Sequence, residues 1–355
     1  MAFAQRTRRR TAGTPAGVRH LFTGLLGMME LHNKYGHFNA DGNAFIITDP
    51  NTPMPWVNVL SNGDYGMVIS QAGSGYSWRT HASLNRITRW DQDLLRDEWG
   101  KYIFIRDMDT GEFWSPTYQP CGTGLTHYQV SHELGSTLIT SRFGTIEHAI
   151  TYFVPQDTPC EVWHLTLRNH GDQPRRLQVF TYFEWLLGAA PDWHREFHKT
   201  FINTEYDAQH GAILATKVMW ELPVASKAHW NQDWEYVAFH SASVTPSGFD
   251  CDKRDFIGRN GRLSSPKALR TGTSAGRAGR WGDPIGSLQV QLTIAPQQQQ
   301  SVTYTLGAAD NREQALSIVQ RFNGSWESTG KPLEQTWRYW SSLVTRLQVK
   351  TLTPP

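Results

Sequence analysis

The stretch from Ser61 to Trp114 concentrates side chains suited to a hydroxyl-rich ligand. Within it Tyr76, Trp78, Arg79, Asn85 and Arg86 stand among glycines, and Trp90, Asp91, Arg96 and Asp97 extend the same mixture. Aromatic rings offer flat faces to the C–H surface of a sugar, while guanidinium and amide groups offer paired donors to its hydroxyls. A second reading stays open for the same residues, in which arginine–aspartate pairs pin loops between strands.

Other reactive types are present without a diagnostic spacing. Glycoside cleavage needs two positioned carboxylates or, in an inverting phosphorylase, one carboxylic acid facing a phosphate held by His, Arg and hydroxyl donors. The chain has 32 Asp and Glu, so spacing singles out no pair. His194 and His198 would share one face of a helix, but the order is not His-Glu-x-x-His and no third ligand is apparent, so no metal site is expected. Gly73-Ser74-Gly75 could cradle an anion with backbone amides, although the Lys-Ser/Thr of a P-loop is missing. His148, His164 and Glu184 fall on strand-like segments and form the acid–base set of a sugar-epimerase alternative.

These groups must be positioned by sheets. Ile146, His148, Ile150, Tyr152 and Val154 alternate onto one strand face, as do Leu177, Val179, Phe183 and Trp185, and Leu288, Val290, Leu292 and Ile294. Val162 and His164 oppose Trp163 and Leu165, and Gly171-Asp172 reads as the turn of a hairpin into the strand at Leu177. Ala44-Phe45-Ile46-Ile47 reads as the first strand. Such strands, punctuated by Gly, Pro, Asn and Asp, predict a mainly β protein of antiparallel sheets packed face to face. Arg254 to Gly286, rich in Gly, Arg and Ser, is expected to be a long exposed loop. Two helices follow. Asp310 with Glu313 resembles a capping box ahead of Ala315, Val319 and Phe322, and Leu333, Trp337, Trp340, Val344 and Leu347 form an aromatic stripe that packs on its own sheet or docks a neighbour.

Composition bounds the function classes. The 355 residues, 39% hydrophobic and 19% charged with 30 Gly and 18 Pro, fit one large turn-rich β domain. Net charge is only +2, and Arg6, Arg8, Arg9, Arg10 and Arg19 all precede the first acid, so nucleic acid is not an expected partner. Residues 1–34 are expected to be a basic, disordered leader, residues 35–308 the β domain and 309–355 a helical linker. No run of about 20 apolar residues suggests a membrane span. Cys121, Cys160 and Cys251 lack paired spacing and read as thiols of a cytoplasmic protein. The 15 Trp tilt the reading toward carbohydrate, with most of them expected in the core.

Longer motifs carry a resemblance. Pro55-Trp56-Val57-Asn58, Ser61-Asn62-Gly63-Asp64-Tyr65-Gly66, Ala72-Gly73-Ser74-Gly75-Tyr76-Ser77-Trp78, Asn85-Arg86-Ile87-Thr88 and the run from Ile105 to Pro116 resemble the amino-terminal domain of glycoside hydrolase family 94. Tyr152-Phe153-Val154-Pro155, Arg175-Arg176-Leu177, Phe183-Glu184-Trp185 and Leu347-Gln348-Val349 continue the likeness across residues 40 to 350. The resemblance implies a galactose-mutarotase-like β-super-sandwich followed by linker helices. It also implies a parent enzyme that phosphorolyses β-glucosides such as cellobiose, cellodextrins or chitobiose. In that family inorganic phosphate is the co-substrate, no other cofactor is used, and an (α/α)6 barrel supplies the general-acid aspartate. The domain helps build a homodimer.

The motif does not reach such a barrel, so no catalytic residue transfers to this sequence. Tyr76, Trp78, Arg79, Asn85 and Arg86 are the expected substrate-binding residues at an active-site rim. The chain is expected to be a stand-alone or truncated amino-terminal domain that binds β-glucoside oligosaccharide and assists assembly without turnover alone. Two alternatives remain: half of a split phosphorylase that acts with a separate catalytic barrel, or a mutarotase-like enzyme.

Overall fold

The computed structural model describes residues 32–346 except 123, 191–197, 219–232, 325 and 345. The expected leader therefore lies outside the described residues up to position 31, as do His194 and the segment from Leu347. Among the described residues, strands alternate as their sequences dictate. In the strand Ile146–Phe153 the side chains of Ile146, His148, Ile150 and Tyr152 are buried while Glu147 is exposed. In the strand Arg175–Gly188, Leu177, Val179, Phe183 and Trp185 enter the main core, whereas Phe180 and Tyr182 join a separate cluster on the opposite face.

Numbered in chain order, the strands are β1 His32–Asn33, β2 Gly36–Phe38, β3 Ala44–Ile47, β4 Val57–Ser61, β5 Tyr65–Ser70, β6 Ser77–Arg79, β7 Arg86–Thr88, β8 Tyr102–Asp107, β9 Phe113–Trp114 and β10 Thr126–Glu133. They continue with β11 Ser136–Phe143, β12 Ile146–Phe153, β13 Cys160–Asn169, β14 Arg175–Gly188, β15 Ile202–Asp207, β16 Ala212–Lys217, β17 Val237–Ala242, β18 Gly248–Asp252, β19 Pro284–Ile294 and β20 Gln299–Ala309. An 11-stranded sheet runs β1-β2-β3-β10-β11-β12-β13-β20-β17-β16-β15, and a 9-stranded sheet runs β18-β19-β14-β7-β6-β5-β4, with β8 attached at β14 and β9 at β8. Every pairing is antiparallel. The strand at Ala44 is thus the third rather than the first, because the short β1–β2 hairpin extends the sheet edge.

The expected Gly171-Asp172 hairpin does not form. β13 pairs with β12 and β20, while β14 pairs with β19, β7 and β8, so the turn carries the chain from one sheet to the other. The β19–β20 connection makes the same crossing, and Asn169 ties the two together: its Nδ2 donates to the carbonyls of Gln173 at 2.7 Å and Ile294 at 3.2 Å. A Gly-Asp turn fixes a reversal of direction, but which sheet receives the second strand depends on where each apolar face finds its partner.

Between the sheets lies the main core, including Trp114, Trp163, Trp185, Tyr152, Tyr304 and Phe183. Of the Trp residues described, Trp114, Trp163, Trp185 and Trp234 are buried. The core also seals an ion pair. Lys101 and Glu161 are almost fully buried, and Nζ of Lys101 lies 2.5 Å from Oε1 of Glu161. Glu161 further accepts from Trp163 Nε1 at 2.7 Å, Tyr65 OH at 3.2 Å and the Ser77 hydroxyl. Burial draws the Lys101 pKa below the usual lysine value, and the Glu161 carboxylate opposes that shift.

Among the described residues four α-helices decorate the sandwich. The expected loop from Arg254 to Gly286 instead contains α1, Lys253–Ile257, and α2, Lys267–Thr271. These bury Phe256, Ile257, Ala268 and Leu269 against Tyr102, Phe104, Phe180 and Tyr182 on the outer face of the 9-stranded sheet. Their few apolar residues were hidden by the polar composition around them. α3, Arg312–Phe322, buries Ala315, Val319 and Phe322 on the back of the 11-stranded sheet. Its N-cap is Asn311, accepting from Gln314 N at 2.9 Å, one residue beyond the expected Asp310. α4 spans Trp326–Val344. Its stripe is divided: Leu333 is buried and Trp337 Nε1 donates to Ser136 Oγ at 2.9 Å, while Tyr339, Leu343 and Val344 are exposed.

Candidate functional site

The five sequence-derived site residues split between the two faces of the 9-stranded sheet. On β6 and β7 the pairing register puts Trp78 opposite both Gly66 and Arg86. Ser77 and Arg79, one residue away on either side, point inward. Gly66 is what lets the indole lie flat, since a Cβ there would stand 2.2 Å from the Trp78 ring. Tyr76 precedes β6 on the same outer side. Its ring centre lies 5.6 Å from that of Trp78 and 5.2 Å from that of Trp90. Arg86 completes the group, with its guanidinium carbon 4.0 Å from the Tyr76 ring centre. Carbonyl oxygens of Ala82 and Trp90 hold that guanidinium at 3.2 and 3.1 Å, and burial lowers its pKa. Trp78, Tyr76, Trp90 and Arg86 form a half-exposed aromatic–guanidinium platform.

Arg79 and Asn85 are not part of it. Arg79 reaches across the end of the sandwich, donating to Ala308 O at 3.0 Å, pairing with Asp310 at 2.8 Å and lying over Tyr236. Asn85 accepts from Trp234 Nε1 at 2.8 Å. The Arg79–Asp310 pair is of the loop-pinning kind. Trp90 belongs to the platform although it follows the end of β7. Strand alternation gave no signal for it, because the chain has already left the regular pleat there.

The remaining candidates are accounted for by protein contacts. At Gly73-Ser74-Gly75 the amides donate to Ser70 O, Ser70 Oγ and Trp99 O, and the Ser70 and Ser74 hydroxyls grip Asp97, so no anion cradle is open. His148 is buried, bonded to Trp114 Nε1 at 2.8 Å and to Ser141, and burial pushes its pKa down to about 3. His164 meets Thr303 on the other face of β13, with its pKa pushed down to about 4 by burial. Glu184 lies on the outer face of the other sheet, so the three groups of the epimerase alternative do not converge. Among the described residues no group of three or more His, Cys, Asp or Glu side chains could hold a metal. His194 lies outside them.

A group of mutually tilted aromatic rings with one fixed guanidinium can grip the apolar face and hydroxyls of a pyranose; it contains no acid placed for bond cleavage. A family model, the supersandwich domain of glycosyl hydrolase 94, matches residues 43–325. The chain belongs to that family. Its platform residues, and the 9-stranded sheet that carries them, all fall inside the match. Among relatives of this supersandwich chain, the cyclic beta-(1,2)-glucan synthase NdvB of Rhizobium meliloti is 26% identical over 92% of the chain but 11% of its own length. The 3-O-beta-D-glucopyranosyl-beta-D-glucuronide phosphorylase of Paenibacillus borealis is 28% identical over 91% of the chain and 39% of its own length. The N,N'-diacetylchitobiose phosphorylase of Vibrio furnissii is 27% identical over 86% and 37%. The chain therefore spans between about a tenth and two-fifths of these relatives. A bacterial glucoamylase solved with acarbose aligns at TM-score 0.45 and 6% identity over 82% of this chain and 39% of its own. A galactose mutarotase related enzyme from Lactobacillus acidophilus aligns at 0.37 and 10% over 72% and 97%. These last two likenesses are too low to carry an argument. No helix among the described residues is long and apolar enough to cross a membrane.

Proposed function

We propose that these 355 residues form the sugar-holding and assembly domain of a cytoplasmic inverting β-glycoside phosphorylase. The domain binds a β-glucoside oligosaccharide on the Trp78–Tyr76–Trp90–Arg86 platform and carries out no turnover by itself. The observation that carries the reading is the platform: mutually tilted aromatic rings, one anchored guanidinium and no paired carboxylates at the site. Phosphorolysis then depends on a barrel carried elsewhere, which supplies the general acid and the inorganic phosphate site, and the domain works as a homodimer or beside that barrel. The exposed Tyr339, Leu343 and Val344 on α4 favour the arrangement with a separate barrel, because they offer apolar surface for a partner to cover.

Incubation of the purified chain with cellobiose or cellodextrins and phosphate is expected to release no glucose 1-phosphate. Release by the chain alone would refute the reading, and release only after a separately encoded barrel is added would establish the split enzyme. Calorimetric titration with the same sugars is expected to show binding that Trp78→Ala weakens.

A further inference from the structure

Beside the platform, three cations from distant points of the chain, Arg89, Lys199 and Lys253, converge on one carboxylate. Glu184 of β14 faces outward and is 5% exposed. Its Oε1 accepts from Lys253 Nζ at 2.5 Å and Tyr182 OH at 3.0 Å. Its Oε2 is buried and accepts no hydrogen bond. The cations nearest that oxygen, Arg89 Nη1 at 3.6 Å and Lys199 Nζ at 4.0 Å, stand beyond bonding distance. Lys199 is held back by Asp283 at 2.5 Å. Arg89 is equally short of its second carboxylate, Asp91, at 3.6 Å, and its guanidinium lies 4.9 Å from the ring centre of half-exposed Trp99.

Leaving a buried carboxylate oxygen without a donor is costly, so a donor five N–H strong left just out of reach is an unusual arrangement for a purely structural ion pair. A hydroxyl resolves it, because a hydroxyl, unlike a further cation or a carbonyl, both accepts from the guanidinium and donates to the carboxylate. Widening the 3.6 Å gap by about 1 Å admits an oxygen bonded at ~2.8 Å to both, a movement open to a side chain that is 28% exposed. Trp99 supplies an adjacent aromatic surface. The amide of Gly75, next to Tyr76, donates to Trp99 O at 3.1 Å, and Arg89 N donates to Glu184 O at 2.8 Å, so backbone hydrogen bonds set this cluster beside the platform.

We propose that Arg89, Glu184 and Trp99 form a second sugar subsite, which takes the hydroxyls of a further pyranose unit in an oligosaccharide whose preceding two units lie along the platform. The ligand class is a neutral linear β-glucan rather than a disaccharide. This rests on the platform reading above, and the test separates the two.

Calorimetric titration of the full chain with glucose oligomers of two to five units, in β-1,2-, β-1,3- and β-1,4-linked series, is expected to show affinity rising about tenfold or more between two and four units in at least one series. Glu184→Gln and, independently, Arg89→Gln are expected to erase that gain while leaving the disaccharide affinity unchanged; Arg89→Gln serves alone if the buried Glu184 variant fails to fold. Trp99→Phe is expected to remove the part of the intrinsic-fluorescence change that the longer oligomer gives beyond the disaccharide. Affinity independent of length in all three series, or a length gain that survives both variants, overturns the second subsite while leaving the platform intact if Trp78→Ala still weakens binding. Length-dependent binding lost in the Arg89 and Glu184 variants but untouched by Trp78→Ala overturns the platform and keeps the cluster. Absence of any binding overturns both.

Discussion

Two glutamates meet cations in opposite ways on the two sides of the 9-stranded sheet. Glu161, inside the sandwich, has Lys101 at 2.5 Å and donors from Trp163, Tyr65 and Ser77, so both oxygens are bonded. Glu184, on the outside, has more cations near it and one oxygen still unbonded. A saturated network in a dry core fixes the relative position of β13, β6 and the start of β8 and offers nothing to a ligand. An unsaturated one at a half-exposed surface leaves donor and acceptor capacity for something else to complete. The same residue types thus serve cohesion on one side and, in the proposed subsite, would serve recognition on the other, and satisfaction of hydrogen bonds, rather than charge, separates them.

The sharpest way to break this contrast is at its sealed side. Lys101→Met leaves Glu161 charged and unpaired in the core, and is expected to cost about 3–5 kcal/mol of stability by urea unfolding. A loss under about 1 kcal/mol would mean that the core pair does not lock the sheets. Trp163→Ala, which removes the largest neighbour of the pair, is expected to cost a similar ~3–5 kcal/mol.

Acid gives the next largest effect and acts on the same interior. His148 and His240 are buried and neutral, with pKa values pushed down to about 3, and His132 and His164 to about 4, in each case by burial. In the unfolded chain these imidazoles protonate near pH 6.5, so between that value and 4 the unfolded state binds more protons and stability falls as pH drops. Asp250 works the other way: burial raises its pKa to about 7, and the stability this gives is present at acid pH and lost as pH rises through 7. Four sites outweigh one, so the urea midpoint is expected to decline from pH 6.5 to 4.5. His148→Asn should flatten that decline by up to about 1.4 kcal/mol per pH unit. A midpoint that is constant over this range would show that the imidazoles are accessible to protons in the fold.

Smaller effects belong to the outer face. Gly66→Ala is expected to displace the Trp78 indole at about 1–3 kcal/mol of stability and to weaken sugar binding together with it. Trp78→Ala is expected to weaken binding by about 1 kcal/mol with the thermal midpoint little changed. Unfolding instead would assign Trp78 to cohesion and erase the contrast. Trp340, whose indole lies against Gly135 at the β10–β11 turn, is expected on substitution by Ala to lower thermal stability; a change in self-association alone would mark that part of α4 as interface.

Much of this was legible in the chain. Alternation at Ile146–Tyr152, Leu177–Trp185 and Leu288–Ile294 identified inward faces, and the motifs through Tyr76-Ser77-Trp78 and Asn85-Arg86 pointed to the platform. The failures were of two kinds. Arg79 and Asn85 were grouped with Trp78 and Arg86 by sequence nearness, yet neighbouring strand residues point to opposite faces, and these two point inward. The Gly171-Asp172 turn was read as closing a hairpin, although turn chemistry fixes only the reversal.

Local sequence by itself determined which residues form strands, which side of each strand is apolar, and where β6 and β7 present aromatic and guanidinium groups, because these follow from a two-residue period and nearest neighbours. Only the tertiary structure decided that β13 and β14 part into different sheets, that Lys101 and Glu161 are sealed together, and that Arg89, Trp99, Tyr182, Glu184, Lys199 and Lys253 gather at one place. Those outcomes depend on contacts between segments up to more than a hundred residues apart, whose energies come from mutual burial and hydrogen-bond satisfaction that no single segment contains.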